Sequence, residues 1–119
     1  MSSSTLVTVH NVTRGCDLAT AGRVAANIWS RMRGLIGTAP LAEGEGLVIE
    51  KCNSIHTHFM GYAIDVAYMD RDGVVVAMDH AIRPWRFGRI YRRARWVVEL
   101  PAGTLAATGT QIGDRVEVR

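Results

Sequence analysis

With 119 residues, 48% of them hydrophobic and 21% charged, the chain fits one globular domain that can bury a core without disulfides or structural metal. No apolar run approaches the roughly 18 residues of a membrane span, and Met1-Ser2-Ser3-Ser4-Thr5 lacks the basic-then-apolar order of a secretory signal, so the cytoplasm is the expected compartment. The net charge of +3 is unevenly placed: Arg83 to Arg95 holds six arginines and no acid, while the remainder carries eight basic residues against eleven acidic ones.

In chain order, residues 1–4 read as a frayed tail. Leu6 to Val12 alternates and is rich in β-branched residues, which predicts a strand. Arg14-Gly15 is a turn, and Cys16 to Ala25 returns as a second strand. Asn27 is a suitable N-cap for a helix over 27–36, with Ile28, Met32, Leu35 and Ile36 on one face and Gly37 just past its end. After a Pro- and Gly-containing loop, Leu47-Val48-Ile49 is a short apolar strand. Ile64–Met69 and Val74–Met78 flank Asp70-Arg71-Asp72-Gly73, the strongest hairpin signal in the chain. Arg95 to Leu100 is a strand, Pro101-Ala102-Gly103 a turn, Thr104–Thr108 a single helical turn, and Arg115–Val118 a last strand. Short strands with frequent turns predict a mainly-β fold: a compact jelly-roll-like sandwich or small barrel, mostly antiparallel, with one main helix at about 27–36. Residues 1–119 read as a single domain.

Cys52 to Met60 concentrates the chemistry. Read as an extended strand, it places Cys52, Ser54, His56, His58 and Met60 on one face. Cys, His and Met together suit Cu(I), and Cys with His suits Zn(II). A straight strand would separate the Cα atoms of Cys52 and Met60 by about 26 Å. A metal set of Cys52, His56, His58 and Met60 therefore needs a bulge at Asn53-Ser54, or a ligand from a neighbouring strand such as Asp65 or His80. A catalytic arrangement would use Cys52 as nucleophile and His56 as base, but no third residue to orient the imidazole is evident. The preferred reading is a polar pocket for a ligand around Cys52, His56, Thr57, His58 and Asp65, with no cofactor and no resident metal. Asp65, set in an apolar strand, must reach solvent or accept hydrogen bonds. Its expected role is to fix the turn beneath the His-Thr segment.

Arg83, Arg86, Arg89, Arg92, Arg93 and Arg95 alternate with Trp85, Phe87 and Tyr91. This composition suits phosphate contacts with base stacking, an anionic lipid surface or an acidic protein partner. No nucleic-acid-binding motif surrounds the arginines, so a protein partner or an anionic ligand is preferred to nucleic acid. The favoured reading of the segment is structural: Trp85 and Phe87 anchor a long loop against the domain while the arginines stay solvated.

Six short motifs follow one another along the chain: Arg31-Met32-Arg33-Gly34-Leu35-Ile36-Gly37, Gly46-Leu47-Val48-Ile49, Ile55-His56-Thr57-His58-Phe59-Met60, Ile64–Asp70, Val97-Val98-Glu99-Leu100-Pro101-Ala102-Gly103 and Gly113-Asp114. On these, the chain resembles the domain of unknown function 192 family over roughly residues 22–118. The resemblance implies a compact, mainly-β domain with a helix packed on it, and it implies no activity. The function expected from the residues is binding rather than catalysis.

Overall fold

The apolar and β-branched runs form seven strands in the computed structural model, which describes residues 5–25, 40–54, 61–86 and 88–119. These are β1 (Val7–Asn11), β2 (Cys16–Ala25), β3 (Glu45–Glu50), β4 (Ile64–Met69), β5 (Val75–Ile82), β6 (Trp96–Pro101) and β7 (Val116–Val118). One short helix, α1 (Thr104–Thr108), lies between β6 and β7. The strands make one sheet in the order β5-β4-β6-β3-β2-β1-β7. Its pairs are antiparallel except β2 with β3. A parallel pair requires a crossover connection. The helix expected at 27–36 falls within that connection and lies outside the described residues, as do Trp29, the segment 55–60 and Phe87.

The sheet curls until its two edges meet at one corner, giving a half-barrel. Val74 bridges Arg115, Val75 N donates to Asp114 O at 2.8 Å, and Val116 N donates to Gly73 O at 2.8 Å. Gly73 permits this approach: its φ is +83°, and a Cβ there would collide with the Val116 carbonyl oxygen. The expected hairpin thus forms, and its tip also closes the sheet. Asp70 Oδ1 accepts from the Asp72 and Val74 amides at 2.9 and 3.0 Å, which fixes the turn.

Strand alternation divides the apolar residues between two faces. The inner face draws on all seven strands and α1, with Val9, Leu18, Val48, Met69, Val75, Val98, Leu100, Leu105 and Val116. The outer face spans only part of the sheet and gathers Leu47, Ile49, Ile64, Val66, Tyr68, Ala77 and Val97. No helix among the described residues is long and apolar enough to cross a membrane.

The extended strand read over Cys52–Met60 does not form at its start. β3 ends at Glu50, Lys51 turns into the left-handed region (φ +52°), and Cys52–Ser54 belong to no strand. The alternate-face parity therefore does not pass through Cys52 and Ser54. His56, Thr57, His58 and Met60 lie outside the described residues.

Candidate functional site

The outer face carries Cys52, a tyrosine–aspartate cluster and Glu99. Ala25, Leu41, Cys52 and Tyr62 stand beside the ends of segments 26–39 and 55–60, and all four pack on this face. Cys52 is half-buried. Its thiol donates to the Ser54 carbonyl at 2.9 Å, and its amide donates to Arg95 O at 3.0 Å.

Beside it lies a paired-tyrosine carboxylate. Tyr68 OH donates to Asp79 Oδ2 at 2.7 Å and Tyr91 OH to Asp79 Oδ1 at 3.2 Å. The two rings are tilted, with centroids 4.4 Å apart. Burial, then the Asp79 carboxylate, drives the Tyr68 hydroxyl far above the ordinary tyrosine range, and the same causes raise Tyr91. Both phenols are therefore hydrogen-bond donors at neutral pH. Tyr91 also fastens the arginine-rich segment to the sheet.

That segment connects edge strand β5 to β6 and so passes across β4. Its stem is held by Tyr91 N donating to Asn53 O at 2.9 Å, Ala94 N to Tyr91 O at 2.9 Å and Arg95 N to Met69 O at 2.7 Å. Arg83, Arg86, Arg89, Arg92, Arg93 and Arg95 are all exposed. Trp85 is also exposed, Tyr91 is an anchor of the segment, and Phe87 lies outside the described residues. The bonds from Cys52 and Asn53 to the 91–95 limb bring two features, far apart in sequence, onto one surface.

Glu99 is the group that sequence reasoning missed. It sits on β6 opposite Leu47 and Val66, both outer-face residues, and is 4% exposed. No hydrogen bond or ion pair reaches its carboxyl among the described residues. Burial alone pushes it up to about 8, so it is mostly protonated at neutral pH. The available signal was the uninterrupted apolar setting of Val97-Val98-Glu99-Leu100. A central strand is covered on both faces, so its acid is buried whichever way it points.

Asp65 and Cys52 do not converge. Asp65 follows the inner-face parity of Ala67 and Met69 and is fully buried. Oδ1 accepts from the Ala81 amide at 2.8 Å, and Oδ2 accepts from the Gly103 and Leu105 amides at 3.0 Å each. It thereby supplies the cap that Gly103, at the N-terminus of α1, cannot provide. All three of these donors are backbone amides.

Among the described residues, no three His, Cys, Asp or Glu side chains are grouped to hold a metal. A cavity of about 310 Å³ lined by Val24, Val48, Glu50, Lys51, Arg95, Trp96 and Val118 includes only Arg95 of the predicted site residues.

This curled sheet is shared with proteins of known structure. A protein from Sinorhizobium meliloti 1021, described as a candidate transcription regulator, superposes with a TM-score of 0.78 at 21% identity, covering 94% of this chain and 91% of that one. A protein of unknown function from Novosphingobium aromaticivorans DSM 12444 gives 0.77 at 18% identity, covering 94% and 83%. At these identities the likeness concerns the fold. The chain belongs to the domain of unknown function 192 family, described as "Uncharacterized ACR", whose profile matches residues 9–118. Its relatives include a UPF0127 protein of Pyrococcus furiosus, 34% identical over 110 residues (90% of this chain and 94% of the relative). Another, from Thermococcus sibiricus, is 31% identical over 111 residues (90% and 71%).

Proposed function

We propose that the protein is a binding module whose outer face receives an anionic ligand or partner segment. The pocket is built around Cys52 together with the His56-Thr57-His58 segment, and the Arg83–Arg95 crossover supplies the positive charge. Asp65 supports it from beneath the sheet by capping α1. The observation that carries this reading is the pair of backbone hydrogen bonds joining Cys52 and Asn53 to Arg95 and Tyr91. They make the cysteine site and the arginine-rich segment neighbours. Glu99, kept protonated by burial, adds no negative charge to this face, which suits an anion. The reading treats the chain as one domain acting in the cytoplasm, a setting that agrees with Cys16 and Cys52 not forming a disulfide.

Retention on heparin tests it. The wild type binds at low salt, and Arg92→Ala/Arg93→Ala lowers the slope of log affinity against log salt by about 2. A slope unchanged by the double substitution would overturn the role of the crossover.

A further inference from the structure

We propose that the Arg83–Arg95 crossover docks on an anionic lipid surface, with Trp85 and Ile90 entering the headgroup layer while Arg89, Arg92 and Arg93 meet its phosphates. This rests on the reading of the crossover as an anion-binding element and names the partner.

Exposure favours lipid over other anions. Ile90 is 70% exposed and Trp85 55% exposed, although each is flanked by arginines in sequence. An isoleucine offers nothing to a phosphate and cannot stack on a base. An apolar side chain among cations instead matches the boundary where headgroups meet acyl chains. Tryptophan favours the same layer, its ring apolar and its N–H polar. Other exposed apolar residues, such as Leu6 and Ile112, have no arginine within two positions in sequence.

The backbone supports presentation of these side chains. Trp85 has φ +65°, a conformation that bulky residues rarely adopt and that tends to mark functional positions. The Tyr91, Ala94 and Arg95 hydrogen bonds fix the limb that follows Ile90, so Ile90 projects from a firm base. Charge gives the molecule an orientation. The crossover carries six positive charges and the rest of the chain a net −3, so an anionic surface attracts one side and repels the remainder. Among the described residues, no ion pair neutralises Arg89, Arg92 or Arg93.

The test is co-sedimentation of the full chain with vesicles of phosphatidylcholine alone and with one lipid in three replaced by phosphatidylglycerol, alongside heparin retention. Binding is expected only to the anionic vesicles. At about a fivefold loss per arginine, Arg92→Ala/Arg93→Ala lowers partitioning about 25-fold. Trp85→Ser/Ile90→Ser lowers vesicle partitioning about tenfold and leaves heparin retention unchanged, a combination that a simple charge effect would not give. Circular dichroism confirms that the variants are folded. Heparin retention without vesicle binding would overturn the lipid partner and leave the anion reading standing. Loss of both would overturn both. Vesicle binding unaffected by Trp85→Ser/Ile90→Ser would overturn insertion. Binding to duplex DNA in preference to vesicles would assign the crossover to nucleic acid instead.

Discussion

The two faces of the sheet treat buried acids in opposite ways. On the inner face, Asp65 is fully enclosed and its carboxylate accepts three backbone amides. Where the sheet closes, Asp114 accepts from Arg14 Nε at 2.9 Å, Asn11 Nδ2 at 3.0 Å and the Gln111 amide at 3.0 Å. Those contacts, the Arg14 bond foremost, hold Asp114 down at about 2. On the outer face, Glu99 is as deeply buried and has no such partner among the described residues. A charge enclosed by donors fixes architecture, whereas an acid enclosed without them stays neutral at a cost in stability. The inner-face acid is part of the scaffold, and the outer face holds Glu99, which no hydrogen bond or ion pair satisfies among the described residues.

The contrast can be broken most forcefully at Asp65. Asp65→Ala leaves three amides without their acceptor and uncaps α1. The expected destabilisation is about 3–5 kcal/mol in urea unfolding. A loss below about 1 kcal/mol would mean that the inner face does not depend on this carboxylate.

Glu99 sharpens the comparison through pH. Its carboxyl is raised from an ordinary value near 4.5 to about 8 in the folded protein. Between these values the unfolded chain has released the proton and the folded chain still holds it, so the unfolded state binds fewer protons. Stability from this group is therefore fully present below about pH 4.5 and is lost as pH rises through about 8. The expected loss is a few kcal/mol. Glu99→Gln removes this slope, leaving the variant more stable than the wild type at about pH 9 and nearly equal at about pH 4. Thermal melts across that range check it. Identical slopes in the two proteins would mean that the carboxyl is already satisfied.

Much of the scaffold was legible because it rests on local patterns. β2, β4 and α1 occupy the residues expected from alternation and turn chemistry, and Asp70-Arg71-Asp72-Gly73 makes its hairpin through Asp70 and the positive φ of Gly73. The site was less legible because its contacts are distant in sequence. Strand parity from Cys52 assumed an unbroken strand, and the left-handed turn at Lys51 ends it. Gly113-Asp114 reads as a turn, and Gly113 does take a positive φ, but nothing local reveals that Asp114 holds Arg14. Asp79 with Tyr68 and Tyr91 likewise depends on how the crossover passes β4.

Protection of Cys52 from alkylation tests the account most directly, because it asks whether the thiol and the arginines share one surface. In a Cys16→Ser background at low salt, saturating heparin should slow Cys52 alkylation several-fold, and Arg92→Ala/Arg93→Ala should abolish the protection. An alkylation rate indifferent to heparin that is demonstrably bound would contradict the account, because the arginine segment and the cysteine site would then be separate.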